Sequence, residues 1–550
     1  MTFRIQSQKA IINILLLNFI IGLISIEAQS ISLDSSNLPI VIINTNGKTI
    51  LNEPKITASM KVIYNGAGQV NRLNSSKFHY DNDIEIEIRG NSSQFYPQKQ
   101  YGFETKDKIT KEDLKVALCD LPNEEDWILY APYNDISLMR NVMTYHLWSQ
   151  MGHYAPRTKF CELILNNEYQ GIYILTESIK TGNDRVDVAN LKTSDTTGLE
   201  LTGGYIVKID KKNNASDSSF VSKIRSTNNQ LINWLYHDPS SDKIHVKQKN
   251  YIRNYIDTVE QIISSSNFAD PVNGYRKYIS VKSFIDYFLI TEFSRNIDAY
   301  KASSFFYKEK KDSIGGKGQL KAGPVWDYNF AFGNASFCSG GLSTGWMYDG
   351  CVPATLPTPV MWRKLLQDPT YLNDIKCRYT ELRKTVLDTQ TLFKYLDSYF
   401  LDTLDNAQKR HYTKWKILGT NPGNFNAYIA MSYPDEIRRV KNWIKSRLHW
   451  MDLNLGGVCL TNVDNIIADN ALISIEPNPG NGIFRVTFTN SMPDNGILSV
   501  LDLQGRQLIK IKINENELQY NIDLFDKASG IYILQIITTK LLATETLLKM

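Results

Sequence analysis

Cysteine and net charge are both scarce in this chain. Six cysteines occur among 550 residues, at positions 119, 161, 338, 351, 377 and 459, and their spacing fits no zinc pattern. Lys plus Arg number 61 against 57 for Asp plus Glu, a net charge of +4 with no basic block. That balance excludes a nucleic-acid-binding surface. Beyond the N-terminal segment, no run is apolar enough to span a membrane. Hydrophobic content of 42% and charged content of 21% are ordinary for a globular chain with a sizeable core. At this length two or three domains are expected.

What is present starts at the N-terminus. Arg4 and Lys9 precede an apolar stretch from Ala10 to Ile26, and Ala28 offers a small residue for cleavage before Gln29. Residues 1–28 therefore read as a secretory signal peptide and are set aside from the fold. Export places the cysteines in an oxidising compartment. Cys338 and Cys351 bracket a glycine-rich loop, SGGLSTGWMYDG, and are expected to pair there; the partners of the other four cannot be read. Aromatic residues are plentiful, with 30 Tyr, 22 Phe and 9 Trp, which aromatic cores explain better than sugar-binding surfaces do.

The first half reads mainly as strands. Residues 83–89 alternate strictly, with Ile84, Ile86 and Ile88 on one face and Glu85, Glu87 and Arg89 on the other. A small polar turn, Gly90-Asn91-Ser92-Ser93, separates them from the strand around Tyr101 and is flanked by Arg89 and Lys99, suiting phosphate oxygens as well as an ordinary hairpin. Asn134 or Asp135 is expected to cap a helix running to Met151, and Asn166-Asn167 to turn a hairpin. After the polar loop at 211–219 the period changes from two to 3.6, with helices expected around 251–263, after Ser280, at 371–387, at 392–407 and from Pro434 to Gly456. From about residue 470 short alternating strands return behind a turn-dense entry, which predicts a small β-sandwich.

The chemistry concentrates between Ile290 and Asn334. Asp298 follows an amphipathic helix and precedes Ser304-Phe305-Phe306-Tyr307; Asp327 follows a strand-like segment and precedes Tyr328-Asn329-Phe330. Carboxylates in such apolar surroundings need a partner, and a metal ion or a substrate hydroxyl serves. The glycine-rich stretch 313–318 between them predicts a hairpin turn. Helix, carboxylate, strand, turn, strand, carboxylate is the order used by protein kinases, although the His-Arg-Asp and Asp-Phe-Gly motifs are absent. Each Asp taken alone is equally well read as a turn residue or as half of an ion pair.

Arg89-Gly90-Asn91-Ser92-Ser93 with Lys99 and Tyr101, then Leu138-Met139-Arg140-Asn141, Tyr169-Gln170-Gly171-Ile172-Tyr173 through Glu177, and finally Asp298 and Trp326-Asp327 stand in one order along residues 38–455. This set resembles the spore coat protein H (CotH) kinase family. The end of the chain, with Pro477-Asn478-Pro479 and Gly482, resembles the type IX secretion sorting domain of Bacteroidetes.

The resemblance implies an α+β, two-lobed, atypical protein-kinase-like domain over residues 36–460 and a sorting domain over 470–550, exported or held at the cell surface. It further implies ATP with Mg²⁺ or Mn²⁺, a protein substrate and the type IX machinery as partners. Asp298 would accept or hold the substrate hydroxyl. Asp327 would hold metal, with Ser303 and Asn329 standing where the family carries stronger ligands, Asn and Asp. Arg89, Lys99, Glu177 and Lys180 would serve the nucleotide, and Lys99, Lys180 and Lys208 are all candidates to pair with Glu177, with Lys99 favoured. The weakened ligand set, together with the aromatic loop at Trp346-Met347-Tyr348, leaves a second reading, a kinase-like surface protein that binds a protein or glycan. Glycoside hydrolysis is a third, resting only on the paired carboxylates.

Overall fold

In a computed structural model, which describes residues 33–212, 218–226, 228–311, 318–349, 357–459, 473–488, 495–503, 506–514, 517–538 and 542–550, the alternating segment at Ile84 and Ile86 forms one stave of a closed barrel. Its strands are β1 (Ile40–Asn44), β2 (Ile56–Ile63), β3 (Tyr80–Ile88), β4 (Tyr101–Lys106), β5 (Asp126–Tyr130), β6 (Thr158–Leu165) and β7 (Glu168–Glu177). They run in the order β1-β2-β3-β4-β5-β7-β6, and the barrel closes through a parallel pairing that sets Ile40 opposite Glu162. Ile84, Ile86, Phe103, Trp127, Leu163 and Tyr173 fill the interior, while Glu85 and Glu87 remain outside. Asn166 and Asn167 turn the β6–β7 hairpin with φ of 50° and 65°, a conformation that asparagine tolerates. The signal-peptide reading at 1–28 lies outside the described residues.

A second sheet supports the chemistry. It contains β8 (Tyr205–Ile209), β9 (Ser219–Val221), β10 (Asn233–Asp238), β11 (Ser304–Lys308) and β12 (Leu320–Ala322), in the order β9-β10-β8-β11-β12. Its strands pair antiparallel, with Ile209 opposite Ser304 and Lys208 opposite Phe305. The helices are α1 (Arg140–Gln150), α2 (Val246–Ser264), α3 (Val281–Ser294), α4 (Val360–Leu365), α5 (Pro369–Arg383), α6 (Thr389–Asp397), α7 (Asp405–Lys414) and α8 (Tyr433–Asn454), of which α3 packs against β12 and α7 against the barrel strand β7. One apolar core joins Trp148, Trp234, Phe284, Tyr287, Phe306 and Trp362. Several contacts fasten α7 to the barrel, among them the Lys414–Glu168 ion pair. Arg410 Nε donates to buried Glu162 over 2.9 Å, and the Ile172 backbone N–H donates to His411 Nδ1 over 3.1 Å. Gly171 makes room for the second, since a Cβ there would lie 2.8 Å from His411 Nδ1.

Four expected helices differ in their limits, the one at 371–387 running instead from Pro369 to Arg383. The first begins at Arg140 rather than Asn134 or Asp135, because the Asp135 carboxylate takes the N–H groups of Ser137 and Arg140, and Leu138 adopts φ 62°. The helix expected at 392–407 breaks into α6 and α7 around a π-turn at Ser398–Thr403. The one expected at 251–263 begins earlier, at Val246, where His245 and Gln248 form a capping box. Among the described residues no helix is long and apolar enough to cross a membrane.

Cys377 and Cys459 form a disulfide, and Cys119 and Cys161 are buried thiols. Cys338 is also disulfide-bonded, while its expected partner Cys351 lies outside the described residues, as does the turn at 313–317. The chain divides into two compact units between Cys459 and Leu460. The second unit holds β13 (Ile473–Glu476), β14 (Ile483–Phe488), β15 (Gly496–Leu501), β16 (Gln507–Ile513), β17 (Gln519–Asp523), β18 (Gly530–Thr538) and β19 (Leu542–Lys549). They make two antiparallel sheets, β13-β14-β17 and β16-β15-β18-β19, and Phe484, Val486, Leu498, Val500 and Leu534 contribute to one core.

Candidate active site

Asp327 lies five residues beyond β12 with φ 66°, a left-handed backbone that short polar side chains accept at some cost. Helix α1 holds it there. The N–H of Tyr328 donates to Asn141 Oδ1 over 2.6 Å, the N–H of Asp327 reaches Tyr145 Oη at 3.4 Å, and Arg140 Nε donates to the carbonyl of Ala331 over 3.0 Å. Arg140 is fully buried, with Asp135 and Glu436 as its anionic partners. The Leu138-to-Asn141 motif thus builds the scaffold under Asp327.

Asp298 sits in the loop between α3 and β11, where its carbonyl accepts the N–H groups of Lys301 and Ala302. Among the described residues no hydrogen bond reaches the carboxylate of Asp298 or of Asp327. Burial pushes the Asp327 carboxyl up to about 6, and the negative charges of Asp298 and Asp210 add to that push; Arg89 and Lys208 oppose it. Burial also raises Asp298, with Lys301 and Lys211 opposing and Asp210 reinforcing. Three carboxylates and several cations therefore share one electrostatic neighbourhood at the ends of β8, α3 and β12.

Lys208 Nζ is 3.1 Å from Asp210 Oδ2 and 5.7 Å from the centre of the Phe305 ring. The Arg89 guanidinium lies 5.6 Å from the centre of the Trp326 ring; burial lowers its pKa, and the charge of Asp327 opposes that. Burial, together with the charges of Lys208 and Arg89, brings His237 down to about 4, while its Nε2 lies 2.7 Å from the carbonyl of Ile179. At neutral pH this ring is uncharged.

Of the residues singled out in the sequence, Asp298, Asp327 and Arg89 share this neighbourhood. Ser303, with φ 47°, and Asn329 flank it in the chain, and no hydrogen bond among the described residues engages either side chain. The expected Lys99–Glu177 pair does not form. Glu177 is fully buried and accepts from Arg157 Nη1 at 2.7 Å, Arg185 Nη1 at 2.6 Å and Tyr154 Oη at 3.0 Å. Arginine forks satisfy a buried carboxylate better than a lysine on the neighbouring turn does. Lys99 Nζ instead donates to the carbonyl of Gln94 over 2.6 Å. Lys180 stands among Glu124, Glu125 and Asp126 at 2.8, 3.2 and 2.7 Å; these three acids have oxygens within 4.8 Å of one another. The polar stretch at 90–93 leads into a short 3₁₀ turn, Ser92–Phe95.

Asp210 was missed, and its only signal was the strand end Lys208-Ile209-Asp210 leading into a polar loop. The aromatic loop at 346–348 proves to be a structural anchor. Met347 and Tyr348 donate their N–H groups to buried Glu292 over 2.8 Å each, and Trp346 packs on Trp450 with ring centroids 4.7 Å apart.

A family model described as CotH kinase protein matches residues 86–451, well over half of the chain. A second, described as secretion system C-terminal sorting domain, matches residues 474–550. No curated protein matches the chain.

Proposed function

The chain belongs to the CotH kinase protein family and ends in a sorting domain that marks it for secretion and cell-surface attachment; from this we propose that it is an exported kinase-like enzyme that moves a phosphoryl group from ATP to a protein hydroxyl. In this reading the barrel and the second sheet serve as one lobe and the helices as the other. The terminal sheets make the sandwich that the type IX machinery reads.

One observation carries the proposal. Asp327 and Asp298 lie in a largely buried site and their carboxylates accept no hydrogen bond among the described residues; the charge of Asp298 raises Asp327, while Arg89 and Lys208 act on Asp327 and Lys301 and Lys211 on Asp298. Carboxylates left in mutual repulsion fit a hard divalent cation, and neighbouring cations fit phosphate. Asp327, with Asn329 and Ser303 beside it in the chain, would hold Mg²⁺ or Mn²⁺, which when bound would offset the charge of the transferred group. Arg89 and Lys208 would bind and orient the phosphates. Asp298 would accept the proton of the substrate hydroxyl, or hold that hydroxyl in line, and its burial raises its basicity for the task. Lys208, rather than Lys99 or Lys180, is the lysine whose charge reaches Asp327.

The test is incubation of mature protein with labelled ATP and Mn²⁺, alongside Asp298→Ala and Asp327→Ala. Label transfer that depends on both acids supports the reading. If Mn²⁺–nucleotide titration gives no heat with the parent, the chain is a surface protein that has kept the fold without the chemistry.

A further inference from the structure

We propose that Asp210 supplies the acidic ligand that Ser303 and Asn329 do not, so that the divalent cation is held by Asp210 together with Asp327. The inference rests on the phosphotransfer reading and adds a residue to its site. The sheet register argues for it. Strands β8 and β11 pair antiparallel through Lys208–Phe305 and end at Ile209–Ser304, so Asp210 and Ser303 are the first residues past the last paired position on the two neighbouring strands. The position with the weakened ligand thus has a carboxylate as its neighbour across the strands.

Two further observations point the same way. Lys208 lies on β8 and Asp210 follows directly after its end, and Lys208 both contacts Asp210 at 3.1 Å and approaches the Phe305 ring. The Asp210 side chain is therefore held beside Lys208, whose charge reaches Asp327. Its charge also acts on both Asp298 and Asp327. A hard cation takes oxygen ligands without regard to which strand delivers them, so a carboxylate lost from one strand is replaceable from its neighbour. Lys208 would have a second role here: it offsets the charge of Asp210 and would be free to bind phosphate where a cation is held by that carboxylate.

Binding of Mn²⁺ alone to the mature chain, followed by the loss of free-ion paramagnetic signal, tests this without any turnover. Asp210→Asn is expected to weaken Mn²⁺ by about tenfold or more. Ser303→Asp, at a left-handed position that Asp accepts, is expected to tighten the parent and to restore most of the affinity in the Asp210→Asn background. Far-UV circular dichroism reports whether each variant folds, and Ser303→Asp in the parent keeps the test open if Asp210→Asn does not. Asp327→Ala is the companion variant. If it loses Mn²⁺ while Asp210→Asn binds within about twofold of the parent, Asp210 is no ligand and only this inference falls. If Asp327→Ala binds Mn²⁺ as the parent does, the site itself is misassigned and both ideas fall.

Discussion

Asn141 Oδ1 accepts the backbone N–H of Tyr328 over 2.6 Å, and this single bond ties helix α1 to the residue that follows Asp327. Both partners are buried, so the N–H has no water to fall back on. Replacing Asn141 by Ala is expected to cost about 1–3 kcal/mol, the price of a buried, unsatisfied donor. It should also loosen the left-handed turn at Asp327 and weaken Mn²⁺. Thermal melting and Mn²⁺ titration check the two effects together. A variant that melts lower yet binds Mn²⁺ as the parent does would show that the bond serves the core alone.

Asp327 sets a pH dependence whose sign follows from its environment. Its carboxyl titrates near 6 in the folded chain against an ordinary value of 3.8. Between those values Asp327 holds more proton in the folded state than in the unfolded one, so its own contribution to stability is most favourable below about pH 4 and is lost as pH rises through 6. The loss is bounded by about 3 kcal/mol and is smaller in a cleft that water reaches. Asp327→Asn should therefore melt higher than the parent at pH 7.5 and match it at pH 4. Saturating Mn²⁺ should reverse the slope in the parent and leave the variant unmoved. Melting temperatures across pH 4–8, with and without Mn²⁺, decide it.

Glu177 and Lys99 offer a contrast in magnitude. Glu177 is buried against Arg157 and Arg185, and Arg185 is 3% exposed. Truncating the acid strands a buried guanidinium, so Glu177→Ala is expected to cost about 3–5 kcal/mol. Among the described residues the Lys99 side chain hydrogen-bonds only the carbonyl of Gln94, and Lys99→Ala should stay within about 0.5 kcal/mol of the parent. Urea unfolding of the two variants measures both. Equal losses would mean that the two residues are coupled after all.

The order of elements around the site was legible because period and turn chemistry fix it locally. The 3.6 spacing from Val281 to Ser294, the strand 304–308 and the left-handed asparagines at 166 and 167 all follow from neighbours in sequence. What local pattern does not carry is partnership across the chain. Glu177 finds Arg185 eight residues away and Arg157 twenty away, not the lysine of the turn that flanks Arg89. Asp210 comes to the acids only through the β8–β11 register, which depends on a pairing across almost a hundred residues. The helix expected to start at Asn134 starts later because Asp135 takes up the backbone donors that would have opened it.

Cys377 on α5 and Cys459, just past α8, close a loop of 82 residues at the very end of the first unit. Noncovalent ties already hold the two helices there, since Tyr379 Oη donates to Asp452 over 2.7 Å and Arg383 Nε does so over 3.0 Å. The bridge therefore adds little to native packing and acts mainly by shrinking the unfolded ensemble. For a loop of this length that effect is worth about 4 kcal/mol. Cys377→Ser with Cys459→Ser is expected to lower the melting temperature and the urea midpoint, and reduction of the parent should do the same. Mn²⁺ affinity should hold, because the acids of the site lie just past β8, on the loop after α3 and beyond β12, none of which carries either cysteine. A double variant that keeps its stability would mean that the Asp452 contacts persist in the unfolded chain. One that loses Mn²⁺ together with stability would tie the end of α8 to the site through the core that α3 shares with it.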